Sequence, residues 1–491
     1  MKYFLIIVSF LLLISCSKEE IEKPVVEIVI PNDEAPASIP NFKQRNKTVS
    51  PDALGGGDGS DANPWTLNEA MEFAQAGDTI GIKAGIYIGQ NDATSTQSRY
   101  SPAFTPKNAG TKDSPIVFVA ENQASKISAE YTEIRSGATE TGTGWPAFGC
   151  YQKDYIYWVG IYTNENVNDN KGASDSAPCT IWSSKGCAVI GCVISGEDVN
   201  YIDNHSAIRL EDATDLKISD NKLSGFNQNR LNSVNQAGII TYDLQFSTIE
   251  HNDIFDCGAA IQLKGYEHYG IDIRYNTFHD NVFSTIRAHG FTEGPQNERS
   301  RIYQNVFFNN AQEFEFTSSG TMRTLAVEAL DIFNNSIYTE NGTVGFSFLW
   351  ITDNIEPHTN NLFNNVIYVK GKRAYFYQES PNNSAENFVA YIQPDYNCYY
   401  GSTSFGDGTS TSNWDQINFA NWQSLTQKDQ NSMVSDPLFT NVTYNGLKLS
   451  PDSPCLNTGI DKGMLLGNNT ENAINMGAYI SKDQSELFGV R

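Results

Sequence analysis

Residues 273–281 read IRYNTFHDN, and the same frame returns at 218–226 (ISDNKLSGF), 249–257 (IEHNDIFDC), 302–310 (IYQNVFFNN), 332–340 (IFNNSIYTE) and 362–370 (LFNNVIYVK). The aligned asparagines are Asn221, Asn252, Asn276, Asn305, Asn335 and Asn365, spaced by 31, 24, 29, 30 and 30 residues. Cys192, in VIGCVISGE, takes the same place one unit earlier. Each unit holds short alternating runs and turns, with no room for a long helix. Self-similarity at such a period marks a solenoid.

One coil of this kind cannot bury its inward side chains alone. Coils stacked at about 4.8 Å pair their backbones and fuse the inward Ile, Val, Leu and Phe into one core. An asparagine repeated at one turn can pass amide hydrogen bonds from coil to coil.

Working outward, the folded part opens on GDGSDANPW (57–65), a helix from Leu67 to Gln75, and the strand TIGIKAGIY (79–87). GTKDSPIVFVA (110–120) reads as another strand. The far end carries SDPLFT (435–440), GLKLSPDSPCLNTG (446–459) and NMGAY (475–479). With the repeat between them, these stretches resemble the right-handed parallel β-helix proteins over roughly residues 50–480. The expected fold is therefore all-β, a right-handed parallel β-helix solenoid with a short N-terminal capping helix. It occupies 51–480 with a loop-rich C-terminal part, and 481–491 form a tail. DYNCYYG and residues 401–435, with Trp414 and Trp422, read as a loop-rich excursion, and NMGAY as the end of the solenoid. A second domain is not expected.

The chain of 491 residues carries a net charge of −24, which argues against nucleic acid, because phosphate binding needs a basic patch. It argues equally against a broad anion-binding surface, so any site for an anion must be local. MKYFLIIVSFLLLISC has a basic start and an apolar run too short for a confident membrane span. LISC resembles the bacterial lipobox, which implies acylation of Cys16, removal of 1–16 as a lipoprotein signal peptide up to that Cys, and attachment to a membrane through lipid alone. SKEE, just after it, resembles the acidic export tag of Bacteroidota surface lipoproteins. The expected location is the outer membrane or cell surface. Residues 17–50, with Pro31, Pro36 and Pro40, read as a flexible tether. Seven cysteines remain: Cys150, Cys179, Cys187, Cys192, Cys257, Cys398 and Cys455. Their spacing gives no zinc motif, and most read as buried thiols, although export would permit a disulfide.

Strand alternation sorts the faces. In AIRLED, GIITYD, AIQLKG, TIRAHG and EFEFTS the inward places fall to Ile208 and Leu210, Ile239 and Thr241, Ile261 and Leu263, Ile286 and Ala288, and Phe314 and Phe316. One outward column then reads Arg209, Ile240, Gln262, Arg287, Glu313. The next reads Glu211, Tyr242, Lys264, His289, Glu315. Trp182, Trp350, Tyr375 and Tyr377 extend the same face. Aromatic rings with a polar tip suit sugar stacking, and the row reads as a glycan groove.

Lys264, Arg287 and His289 on adjoining coils fit one reaction in particular, the β-elimination of a uronic-acid polysaccharide. That step removes the proton at C5 beside a carboxylate and expels the oxygen at C4. Arg neutralises the carboxylate by paired hydrogen bonds. Lys serves as base only when its amine is uncharged, and neighbouring Arg287 and Arg209 disfavour a further positive charge there. His289 or Tyr242 then protonates the leaving oxygen. Arg209, Tyr242, Gln262, Glu315 and Trp350 are the expected substrate-binding residues.

QLKG, YNTF and IRAHG resemble the chondroitinase B and alginate lyase family over about thirty residues. The resemblance implies that Lys264 is the base and that an Arg on the next coil assists. His289-Gly290 matches the family's His-Gly, whereas Arg287 lies one residue earlier than the family's Arg. Family members commonly hold calcium with acidic residues shortly before the Lys, but DCGAA offers only Asp256. Calcium is instead expected, if at all, at Glu211, Asp212 and Asp243, as in pectate lyase-like β-helices.

Two other classes compete. A glycoside hydrolase needs two flanking carboxylates, for which Glu211, Asp212, Asp243, Glu313 and Glu315 are candidates. A non-catalytic surface glycan-binding lipoprotein needs only the aromatics and the anchor. His251, His268, His279 and His358 read as turn residues. The partner expected on these grounds is an anionic polysaccharide met by a single copy of the chain.

Overall fold

The computed structural model describes residues 45–89, 101–121, 132–135, 146–164, 177–196, 205–227, 236–317, 327, 329–340, 344–349, 360–370, 373–377, 392–402, 404–405, 417–462, 465 and 473–479. These form a parallel β-solenoid of three long sheets, of 12, 12 and 10 strands, in which each strand pairs in parallel with its counterpart one coil away. The first sheet runs from Lys47–Val49 to Ile392–Asp395, the second from Gly85–Ile88 to Met433–Val434, and the third from Phe148–Tyr151 to Ser404–Phe405. Inward residues from all three meet in one core that extends from Val49 to Trp422.

The turn between the first and second sheets carries the asparagines. In Asn276, Nδ2 donates to the carbonyls of Ile249 and Arg274 at 2.9 Å and to Oδ1 of Asn305 at 3.0 Å. The same Oδ1 of Asn305 accepts from the Asn276 backbone N–H at 3.0 Å. This unit repeats through Asn221, Asn252, Asn276, Asn305, Asn335 and Asn365. Cys192 receives only the backbone half of it, its N–H donating to Asn221 Oδ1 at 2.9 Å. The residue before each ladder position has a left-handed backbone, with φ of 62° at Gly191, 59° at Asp220, 56° at His251 and Tyr275, and 51° at Gln304. Only Gly, Asn and Asp take this conformation at little cost. The bulky residues at these turns are held by the ladder and by stacking, as in the His251–Tyr275 ring pair at 5.1 Å. A shorter ladder follows the second sheet, where the N–H of Cys257 donates to Asn281 Oδ1 at 3.1 Å and the N–H of Asn281 to Asn310 Oδ1 at 3.0 Å.

The ends differ from the expected layout. The sheets begin inside the expected tether, because Lys47–Val49 pairs with Thr79–Ile82. The capping helix is Leu67–Phe73, two residues shorter than expected, and Thr66 with Glu69 forms its capping box. TIGIKAGIY is two strands, Thr79–Ile82 and Gly85–Ile88, because the chain turns a corner between the first and second sheets. DYNCYYG belongs to another regular coil, and Asn397 adds a rung, accepting from Asn365 N–H at 2.9 Å. Trp422 lies on a helix, Phe419–Thr426, that closes the core. Its Nε1 donates to the buried Asp429, which also accepts from Tyr399, Ser432 and Asn397. Asn397 N–H donates to Ser432 Oγ, so this cluster terminates the ladder.

NMGAY does not extend the solenoid. The chain from Ser435 returns along its side, where Gly477 N–H donates to Asn364 O, Ala478 N–H to Ser336 Oγ, and Asn334 Nδ2 to Asn475 O. This strap covers an outward aromatic column on the second sheet, in which Phe308, Tyr338, Tyr368 and Tyr400 stand level on successive coils. Tyr444 stacks on His279 at 4.3 Å, and His279 also meets Asp253 at 3.2 Å and Asp280 at 2.8 Å.

Two outcomes follow from these contacts. Asn305→Ala leaves the Asn276 amide and two carbonyls without their partners, at about 1–3 kcal/mol for each buried orphan. Its urea midpoint should fall well below that of the exposed control Lys112→Ala, and equal midpoints would contradict the ladder's role. Burial opposes charge on His279, but its bonds to Asp253 and Asp280 outweigh burial and raise its pKa. The stability it contributes is fully present below about pH 6.5 and is lost as pH rises through the raised folded value. Wild type should lose more stability than His279→Phe between pH 6 and 9, and parallel profiles would contradict this.

Candidate functional site on the third sheet

The third sheet is where the coils differ most in outward chemistry. Strand pairing places Arg209 level with Ile240, Ile240 with Gln262, Gln262 with Arg287, and Arg287 with Glu315. The second outward column runs Tyr151, Trp182, Glu211, Tyr242, Lys264. Leu263 pairs with Ala288, and the His289 N–H donates to Leu263 O at 3.2 Å, so His289 follows Lys264 on the next coil. The sequence order of both columns therefore holds from Arg209 to Arg287 and from Glu211 to His289.

It fails by two residues at the next coil. Ile286 pairs with Phe314, so Glu315, not Glu313, is level with Arg287. The side chains of Glu313 and Glu315 lie outside the described residues, as does Trp350. Tyr375 does not extend the outer face. It is level with Phe346, and its buried hydroxyl meets that of Tyr399. Tyr377 is level with Phe348, and its side chain lies outside the described residues.

Arg209, Ile240 and Gln262 point outward yet are buried, because their neighbours close over them. Arg209 Nε donates to Glu211 at 2.9 Å, and its guanidinium lies 4.8 Å from the Tyr242 ring centroid. Lys264 Nζ lies 5.9 Å from the same ring. Tyr242 thus lies between two cations, Arg209 and Lys264.

His289 is the most distinctive group. It is only 4 % exposed, and its Nε2 has no hydrogen-bond partner among the described residues. Burial, then the charges of Arg287 and Lys264, push its pKa down to about 3. It is therefore neutral at physiological pH in the ligand-free protein, which disfavours the imidazolium form. A neutral imidazole can still accept or donate one hydrogen bond.

Sequence reasoning left His268 as a turn residue, but it is a buried strut. Its Nδ1 accepts from the Leu244 N–H at 3.0 Å, which leaves Nε2–H to donate to the Lys264 carbonyl at 2.6 Å. Its own N–H donates to Gly290 O at 2.8 Å. Burial lowers its pKa to about 4, so it too stays neutral. Three coils around Lys264 are pinned by this one residue, two by its side chain and the third by its backbone N–H. The period-two pattern stops at Lys264, so nothing in the sequence marked His268 as inward.

The expected calcium ligands do not converge. Glu211 pairs with Arg209, Asp212 accepts from Trp182 Nε1 at 3.3 Å, and Asp243 accepts from the N–H groups of Tyr266 and Glu267 at 2.5 and 2.9 Å. Asp256 accepts from Asn227. Among the described residues no three His, Cys, Asp or Glu gather to hold a metal ion.

Residues 139–328 match the family described as periplasmic copper-binding protein (NosD), which is less than half of this chain. No curated protein matches the sequence. Among solved structures, the pectate lyase Pel9A superposes with a TM-score of 0.51 at 11% identity, over 88% of this chain and 96% of that one. An alginate lyase from Paenibacillus sp. str. FPU-7 gives 0.41 at 13% identity, over 70% of this chain and 95% of that one. A mannuronic acid-specific family 6 lyase from the human gut microbiota gives 0.40 at 14% identity, over 68% and 72%. The pectate lyase likeness shows a shared parallel β-helix fold.

Copper takes His, thiolate or thioether ligands, and the described residues of the matched region gather no group of three His, Cys, Asp or Glu to hold it. Cys16 lies outside the described residues, and no helix among those described is long and apolar enough to cross a membrane.

The histidine assignment has a direct check. In protein carrying ¹³C-labelled histidine, the His289 ring should not titrate between pH 5 and 8. A midpoint near the ordinary 6.5 would contradict its burial between Arg287 and Lys264.

Proposed function

We propose that this chain cleaves a uronic-acid-containing polysaccharide by β-elimination on the outer face of the third sheet. The observation that carries the reading is the orphaned, buried Nε2 of His289 beside Lys264 and Arg287. A polar atom left unpaired in a nearly closed site costs stability unless a ligand satisfies it.

In this mechanism Arg287 binds the uronate carboxylate and stabilises the charge that develops on it. Lys264, uncharged, takes the C5 proton. The C4–O bond breaks, a C4=C5 double bond forms, and the departing oxygen takes a proton from the Tyr242 hydroxyl. Neutral His289 hydrogen-bonds the sugar and orients it. Arg209, closed by Glu211, holds Tyr242 in place, and Gln262 and Glu315 flank Arg287. The polysaccharide lies along the coil axis, with Trp182 and Tyr151 offering aromatic surface farther up the groove; their rings meet edge-on at 5.0 Å.

Hydrolysis is less well supported, because Glu211, Asp212 and Asp243 are all engaged in structural bonds. The lipobox reading of Cys16 adds the proposal that the enzyme works at a membrane surface, outside the cytoplasm.

The assay is absorbance of unsaturated uronides released from alginate, pectate and glycosaminoglycans. Wild type should give signal on at least one of them, and Lys264→Ala should lower the rate by roughly 10²–10⁴. No unsaturated product from any uronide, or full activity in Lys264→Ala, would overturn the reading. New reducing ends without unsaturation would indicate hydrolysis, and binding without either product a glycan-binding protein.

A further inference from the structure

The C-terminal strap holds a second feature, far from the third sheet. Cys398 begins the strand Cys398–Tyr400 and stands level with Val366 on one coil and Met433 on the other side. Cys455 belongs to the returning strap, where its carbonyl accepts from Met476 N–H at 3.0 Å. The two meet in one closed apolar cluster with Val366 and Met476, and both are fully buried. Cys455 is the neighbour that most raises the pKa of the Cys398 thiol, and Cys398 Sγ donates to Ser435 O at 3.3 Å.

We propose that Cys398 and Cys455 are an oxidation site, closing to a disulfide that fastens the strap to the last coils. The geometry points to this pair because it joins segments that are distant in sequence. Otherwise the strap is held by scattered bonds to Asn334, Ser336 and Asn364 and by the aromatic column. Cys150 and Cys187 also touch, but they link coils already zipped together by backbone pairing.

The step balances as follows. Each thiol gives up one proton and one electron, and the S–S bond forms. The electrons pass to the disulfide of a thiol–disulfide exchange protein or small-molecule disulfide, which leaves as two thiols. Such oxidants belong to the compartments outside the cytoplasm, in keeping with the export reading of the N-terminus. Attack requires a thiolate, and the contact with Cys455 together with burial holds the Cys398 thiol protonated. Exchange in the folded protein is therefore slow. The bond forms before the strap seats, and once seated it resists reductant.

The test uses the full chain, secreted or refolded under oxidising conditions. The protein is denatured in alkylating agent without reductant, digested and mapped by mass. A linked peptide pair containing Cys398 and Cys455, two hydrogens lighter than the separate peptides and lost on reduction, is the expected result. Both thiols found alkylated, once protein folded under these oxidising conditions is denatured, would overturn the proposal. A second reading comes from limited proteolysis of residues 436–479. Cys398→Ser and Cys455→Ser should each be cut at least about tenfold faster than wild type, and equal rates in all three would overturn it. Because the peptide map is made on wild type, it stands even if a variant fails to fold.

Discussion

The asparagine ladder is the constraint on which the rest of this molecule depends. A parallel solenoid turns sharply at every corner, and a sharp turn leaves backbone groups pointing at one another rather than at a sheet partner. Buried groups of this kind must be satisfied. Each ladder amide answers its own turn and the next, taking two carbonyls and giving its oxygen to the N–H groups of the coil before. The left-handed residues beside it, Tyr275 and Gln304 among them, adopt a conformation they would otherwise avoid. Because each rung fixes the rise from coil to coil, it also fixes which outward side chains become neighbours on the third sheet, two corners away.

That dependence explains how much was legible from sequence. Six rungs were visible because Asn recurs in a fixed frame, and the inward Ile and Leu of the third sheet followed from alternation. Asn397 was hidden because the coil that carries it begins with Ile392–Asp395, which contains Pro394 and lacks the aliphatic pattern. The left-handed turns were hidden because Tyr, Gln and His do not advertise that conformation. The slip at Glu315 arises because Glu313 precedes Phe314, whereas Arg287 follows Ile286, the partner of Phe314. The strap could not be read at all, since nothing local in NMGAY says that it returns to meet Asn364 and Ser336. Likewise His289 and His268 look like surface imidazoles until burial is known, and burial is what makes them neutral.

The third sheet gathers its unusual chemistry within four coils. Arg209 and Glu211 satisfy one another, while Lys264 and Arg287 lie beside a neutral imidazole with an unpaired nitrogen. In a chain of net charge −24, such a local cationic spot stands out against its surroundings. The fold is shared with the pectate lyase Pel9A, and the match to NosD spans 139–328, a region whose described residues lack a copper site. The chemistry of the site must therefore be argued from its own side chains.

The most direct measurement is a crystal structure of Lys264→Ala soaked with a uronic-acid oligosaccharide that the wild type binds. The account predicts a sugar carboxylate paired with Arg287, a sugar oxygen within hydrogen-bonding distance of His289 Nε2, and C5 facing the space left by the lysine. An oligosaccharide seated elsewhere on the solenoid, with His289 Nε2 still unpaired, would contradict it.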